Sequence, residues 1–509
     1  MRTVNARGLD PFKRPHATGW LLAELHCALA ALCWLCGIHA QDSNTFAGWD
    51  WFWQVIPAED LLSRPWASLW RMHFQPPGYS LWGLFWLWLG GPSHFPAILR
   101  MGNMLMGGLT TLLTWRLALG LTGSRRLALL AGLGMAANPA MLLFDFYYLY
   151  EMVVIGLLSL SAWCLWRTLR AALAGEERPW GWLAGYAATL NALVLTRPLF
   201  HWVFLWAALA FAWPAWRRLR PLPRAGWLAL AIALPGLWYA KNWEQYGFFG
   251  ASSWFGIGLY KCVMMQYGYA ELQQMGKEGE IPHYVMERYP YQHSPLQYRI
   301  FGFTRRSDLP ALDRDDFRNI NMVEISRGYE QAAARLIRLH PRRYLAAIHG
   351  AYQVFCKPPS RFGHLDALNQ GLLAKWEWVV SQLLYGQAFT EFYRLQTGRD
   401  FGSLFYFYFP ALMLLSAAWA VRRRRRALLS RSATAGVENV RALTMAYLVF
   451  LCLYVATVGN MFEIGENMRF RFPTEPFTLI MVLVALRALW RRRPARVRNW
   501  MRPDPSMFK

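Results

Sequence analysis

Long apolar blocks alternate with short basic connections through the first 242 residues and again beyond 400, and a mixed polar segment lies between them. Trp227 to Tyr239 contains no charged residue, and neither does Phe477 to Leu486. A helix that crosses a bilayer needs about 20 mostly apolar residues. The blocks 19–39, 97–121, 126–145, 150–168, 181–198, 199–216, 225–242, 401–421, 441–459 and 474–490 therefore predict about ten spanning helices. Pro76–Gly91 is too short for another span. Its Trp82, Trp86 and Trp88 suit the lipid–water boundary, so it reads as an interfacial helix.

This pattern defines an all-α polytopic membrane protein in three parts. Residues 1–242 form an N-terminal transmembrane module with a first outer loop at 40–96. Residues 243–400 form an outer-face loop domain with interfacial helices, one of them expected near Arg343–Phe355. Residues 401–509 supply the C-terminal helices and a basic tail. Orientation follows from arginines in the connections. Arg125 and Arg126, then Arg167, Arg170 and Arg178, then Arg217, Arg218, Arg220 and Arg224, then Arg422 to Arg426 and Arg491 to Arg493 all fall on one side if the helices alternate. That side also carries Arg2, Arg7, Lys13 and Arg14. The expected location is an inner or plasma membrane, multi-pass, with both termini cytoplasmic. The outer face then holds 40–96, 243–400 and the short loop 460–473.

Composition sharpens the picture in three places. Charged residues are 17% of the chain and hydrophobic ones 55%, whereas soluble domains carry about a quarter charged residues. The net charge of +24 sits between apolar blocks, so it marks topology rather than nucleic-acid binding. The stretch from Leu21 to Gly37, followed by Ile38-His39-Ala40, has the outline of a signal peptide. Glu24 and His26 interrupt it and many spans follow, so it reads as a retained first helix. The cysteines show no metal spacing. Cys33 and Cys36 suit helix packing, while Cys262 and Cys356 fall in the large loop and could pair in an oxidising compartment.

Candidate chemistry gathers on the outer side. Asp50, in Gly48-Trp49-Asp50, is followed by Ala58, Leu61 and Leu62, then by His73-Phe74-Gln75-Pro76-Pro77-Gly78-Tyr79. Pro139 precedes Glu151, and Thr196-Arg197-Pro198 follows. Lys241-Asn242 stands before Tyr246-Gly247-Phe248-Phe249, and His340-Pro341 before Tyr344. Glu466, Arg469, Arg471 and Pro473 close the series. In this order the pieces resemble the GT-C superfamily of polyprenyl-phosphate-sugar glycosyltransferases, which includes protein mannosyltransferases and lipid A aminoarabinose transferases. Two departures stand out: Phe74 and Gln75 separate His73 from its proline pair, and Lys241 replaces the usual arginine.

The resemblance implies an enzyme moving a sugar, with inversion, from a polyprenyl-phosphate donor to a lipid, glycan or protein acceptor. Such a transfer needs a base for the acceptor hydroxyl and cations for the departing phosphate. Asp50 is the candidate base, and Arg469 and Arg471 are candidate phosphate clamps, with Lys241 and Arg197 in support. Glu151 either assists Asp50, holds a divalent metal or favours its helix dipole. His73, Trp49 and Glu466 are candidate substrate contacts, and Trp51 and Trp53 offer further stacking faces. The plainer readings are loop capping for Asp50, snorkelling for the arginines and solvation for Asp145. The competing functions are a transporter or flippase of lipid-linked glycans, which calls for an inverted repeat that the sequence lacks, and a non-catalytic scaffold.

Overall fold

The computed structural model describes residues 16–38, 47–173, 180–217, 221–285, 295–303, 316, 318–430, 432 and 434–492. The basic N-terminal residues up to Arg14, His39, Ala40, Arg178, Arg218, Arg220 and Arg493 lie outside them. Every regular element among the described residues is helical. Among the described residues seven helices are long and apolar enough to cross a bilayer: Ala17–Leu35, Gly78–Thr122, Arg125–Phe144, Glu151–Leu173, Phe405–Leu429, Ala435–Phe462 and Asn467–Trp490. The chain is a polytopic α-helical membrane protein.

One of the ten expected spans takes another form, and two more are continuous helices besides those seven. Trp180–Thr196 is a helix of 17 residues, and Pro221–Tyr246 runs for 26 with Pro235 inside it. The block 199–216 is not one helix. It divides into Trp202–Ala210 and Trp213–Trp216, because Pro214 cannot donate a backbone hydrogen bond and the chain restarts around it. Nine helical residues reach about 14 Å, roughly half the hydrocarbon thickness of about 30 Å.

The interfacial arm before the second span is resolved by one backbone angle. Gly91 adopts φ 66° and ψ 174°, outside helical space, and Pro92 follows it. The arm Gly78–Gly90 is therefore separate from the span, and at about 20 Å it is too short to cross. Trp88 is exposed, but Trp86 is buried against Gly102 of the span, where any side chain would strike its indole. The aromatic pattern of the arm thus serves packing as well as the interface.

The first helix packs against the second and third spans. At that contact His26 is wholly buried; its Nε2 lies 3.0 Å from Asp145 Oδ2 and its Nδ1 is 3.1 Å from the Ala136 carbonyl. Asp145 is fully buried too, so the solvated role expected from its place at a helix end is overturned. A buried carboxylate needs a partner, and the first helix provides one. Cys262 and Cys356 are both buried and free rather than joined.

Within 243–400, Phe255–Met264 packs on Met322–Leu339. Gly256 permits that approach, since a Cβ there would lie 1.9 Å from the Ser326 carbonyl oxygen. Pro341–Phe355 follows, matching the helix expected over that stretch, and then Gly371–Tyr385 and Gln387–Thr397.

Candidate active site

A cavity of about 1120 Å³ opens where the helix bundle meets the 40–96, 243–400 and 460–473 segments. Trp51 to Gln54 of the first loop line it, as do Gly250 to Gly256 and Lys261 of the long segment, and Glu463, Glu466, Arg469 and Phe470 of the last loop. The first loop and the 460–473 loop therefore meet at one site. Trp202, Tyr239, Phe248 and Phe249 supply an aromatic stretch of its wall.

Local structure explains how the last loop presents its charges. Gly465 turns at φ 106°, which favours glycine. Asn467 accepts the Gly465 N–H at 3.0 Å and donates to the Asn460 side chain at 2.9 Å and the Glu463 carbonyl at 2.9 Å. This knot holds Glu463 and Glu466 on the turn and places Arg469 on the short helix Asn467–Arg471. Arg469 Nε lies 3.1 Å from Glu151 Oε1, and its Nη2 lies 2.9 Å from Glu466 Oε2. Glu151 is fully buried behind the arginine, at the start of Glu151–Leu173.

Arg197 stands at the end of Trp180–Thr196, where Pro198 follows. It is 2% exposed. Its guanidinium sits 4.4 Å from the Phe470 ring centre and 4.9 Å from that of Tyr150. Neither Nη1 nor Nη2 has a hydrogen-bond partner among the described residues. Lys261, by contrast, pairs with Glu463 at 2.7 Å. Burial outweighs that lysine and raises the Glu463 carboxyl above its ordinary range. Burial acts the same way on Glu466, but Arg469, with Lys261, His364 and Arg197 around it, reverses the balance and lowers that carboxyl.

The other expected site residues occupy different surroundings. Asp50 is half-buried, and its Oδ1 accepts the Ala58 N–H at 2.8 Å. Its carbonyl and that of Val55 accept from Arg318, at 3.5 and 3.2 Å; Arg318 is itself paired with Asp316 at 2.6 Å. Trp49 is a core residue: it donates to the Ile56 carbonyl at 2.8 Å and stacks on Tyr79. Arg471 is buried away from the cavity lining; it donates to the Lys357 carbonyl at 3.1 Å and to the Tyr385 hydroxyl at 3.0 Å, and Tyr385 in turn donates to Glu475.

Lys241 and His73 belong to a junction. Four consecutive carbonyls, those of Arg71, Met72, His73 and Phe74, each accept from the 241–253 stretch. The donors are Tyr246 Oη, Lys241 Nζ at 2.5 Å, Ser253 N at 2.9 Å and Ser252 Oγ at 2.5 Å. The Lys241 ammonium also lies 3.7 Å over the Trp238 ring. His73 Nδ1 is 2.9 Å from Ser253 Oγ. The two sequence motifs thus meet each other and fasten the first loop to the long segment.

Sequence reading did not single out Lys261 or Glu463. The available signal was a lone lysine inside the apolar run Ile257–Met264, since charge on an apolar helix marks a functional position. Among the described residues no group of three or more His, Cys, Asp and Glu side chains is placed to hold a metal ion.

Fold and site together define a multi-span membrane protein whose helix ends enclose a charged, aromatic-walled cavity. No protein-family model matches the chain, and no curated protein matches it. Among solved structures the chain is similar to ArnT from Cupriavidus metallidurans. In the apo state the identity is 16%, over 91% of this chain and 78% of that one, with a TM-score of 0.32. For ArnT bound to undecaprenyl phosphate the identity is 17% over the same shares, with a TM-score of 0.29.

Proposed function

We propose that the protein transfers a sugar from a polyprenyl-phosphate donor to a lipid, glycan or protein acceptor on the outer face of the membrane, with both termini cytoplasmic. The observation that carries this reading is Arg197, a buried cation lining the cavity whose two terminal nitrogens have no hydrogen-bond partner among the described residues. Arg469 is met by Glu151 and Glu466, and Lys261 by Glu463. The Arg197 guanidinium is left to receive an anion, and its planar pair of donors fits a phosphate.

Asp50 is the base in this proposal. The residues that follow it line the cavity, and the Ala58 N–H steadies one carboxylate oxygen. It takes the proton of the acceptor hydroxyl, and the resulting oxygen bonds to the anomeric carbon. The bond from that carbon to the phosphate oxygen breaks, and polyprenyl phosphate leaves with the electron pair toward Arg197 and Arg469. Inversion at the sugar follows.

The test is transfer by purified protein from radiolabelled polyprenyl-phosphate sugars, guided by mass analysis of surface glycolipids from a deletion strain. Asp50→Asn is expected to retain donor binding and lose about a hundredfold to ten-thousandfold in kcat, the range of general-base help. Full activity in that variant refutes the base. An unchanged glycolipid and glycoprotein profile in the deletion strain refutes the transferase reading.

A further inference from the structure

The helix Gly371–Tyr385 has its polarity reversed. The stripe turned toward the protein is Leu373, Glu377, Ser381 and Tyr385, all buried. Leu372, Val379 and Leu383 are turned away, exposed by 79, 36 and 77%, while Trp376, 42% exposed, reaches back to donate its indole N–H to the Ala137 carbonyl at 2.6 Å. Both sets follow helical spacing, so the assignment of faces does not depend on one side chain. A helix on a water-facing surface places its apolar stripe inward. Here Glu377, 1% exposed, is satisfied inside. It accepts from Ser360 Oγ at 2.8 Å and from Ser381 Oγ at 2.5 Å, and it pairs with Arg361 Nε at 3.3 Å.

The apolar surface continues beyond this helix. Gly386, in the left-handed region at φ 58°, turns the chain into Gln387–Thr397, where Phe389, Phe392 and Leu395 are exposed. The membrane-spanning helix Phe405–Leu429 comes next, with Phe407, Leu414 and Leu415 exposed in turn. Exposed apolar side chains on three successive helices mark a partner or a membrane, and the last of the three is long and apolar enough to span a bilayer. Fifteen residues extend about 22 Å, short of the roughly 30 Å needed to cross.

We infer that Gly371–Tyr385 and Gln387–Thr397 form a hairpin embedded in one leaflet of the bilayer, with acyl chains covering the Leu372–Leu383 stripe. The hairpin then ties the membrane to the site wall. The Ser360–Arg361 pair held by Glu377 runs directly into Phe362, which lies 5.2 Å from the Arg469 guanidinium. This inference is independent of the reaction that the cavity performs.

Spin-label accessibility on the full-length protein in lipid nanodiscs tests it. Cys27, Cys33 and Cys36, the cysteines that are not buried, are replaced by alanine, and Leu372→Cys and Leu383→Cys are labelled singly. Leu414→Cys on the span Phe405–Leu429 serves as the lipid reference and Lys277→Cys as the aqueous one. At both hairpin positions the ratio of oxygen to nickel-chelate accessibility is expected to match that at 414. A ratio matching position 277 overturns the inference. Low accessibility to both reagents, with dipolar broadening between labels, also overturns it, since a second copy of the chain then covers the stripe.

Discussion

Arg197→Met separates the phosphate-binding role of this cation from any part it plays in folding. Methionine keeps an apolar, flexible chain against Tyr150 and Phe470, whose ring centres lie 4.9 and 4.4 Å from the guanidinium. It removes two donors that have no hydrogen-bond partner among the described residues. A hydrogen bond to a charged group contributes about 1.5–3 kcal/mol. Two such bonds to a phosphate amount to about 3 kcal/mol at the low end, which is the appropriate end because water in the variant cavity solvates part of the anion. The expected loss in affinity for polyprenyl phosphate is therefore on the order of a hundredfold. Stability of the ligand-free protein should move little, because the lost cation–π contacts, about 0.5–2 kcal/mol, are offset by relief of an unpaired buried charge. Calorimetric titration of polyprenyl phosphate into detergent-solubilised protein, alongside thermal unfolding without ligand, measures both quantities. Binding within twofold of the parent refutes the phosphate role. A collapse of the ligand-free protein shows instead that Arg197 is a folding residue.

Two further perturbations follow from the same geometry. Arg469→Met leaves the fully buried Glu151 without its nearest cation, which should destabilise the fold by about 3–5 kcal/mol; adding Glu151→Gln should restore most of it, as read by thermal unfolding of the single and double variants. His73, outside the spanning helices, is held far below its ordinary 6.5, at about 3, by burial and then by the Lys241 charge. An unfolded chain therefore takes up a proton below pH 6.5 that the folded chain refuses until about 3. The stability this residue supports is complete above 6.5 and drains away as the pH falls toward 3, with about 2 kcal/mol lost between pH 7 and 5. His73→Gln should flatten that decline, and an identical slope in parent and variant rules the residue out as its source.

Most of the fold was readable because spans are written in runs of about 20 residues, and no distant contact is needed to see them. The block 199–216 was misjudged because mean apolarity does not report Pro214, which divides it. The site was legible in parts. Arg197, Glu466 and Arg469 stood out as charges beside prolines and helix ends, and all three line the cavity. Lys261 was hidden because its ten-residue apolar helix lies within a polar segment. The His26–Asp145 contact was out of reach for a different reason: each residue is visible alone, but their pairing across more than a hundred positions of sequence is set by how helices pack. Lys241 marks the limit of motif reading. Its motif is present, yet the ammonium is engaged by the Met72 carbonyl and the Trp238 ring.

The junction at 71–74 also sets how this chain can vary. Its acceptors are main-chain oxygens, so these four bonds depend on how many residues stand there, while the buried side chains of Met72, His73 and Phe74 fix the stretch by packing. Removing or inserting one residue between Arg71 and Phe74 slips the acceptors on one side of the change out of register with their donors among Lys241, Tyr246, Ser252 and Ser253. Chains built on this plan should keep the count at these positions, so spacing is a mark by which to look for them.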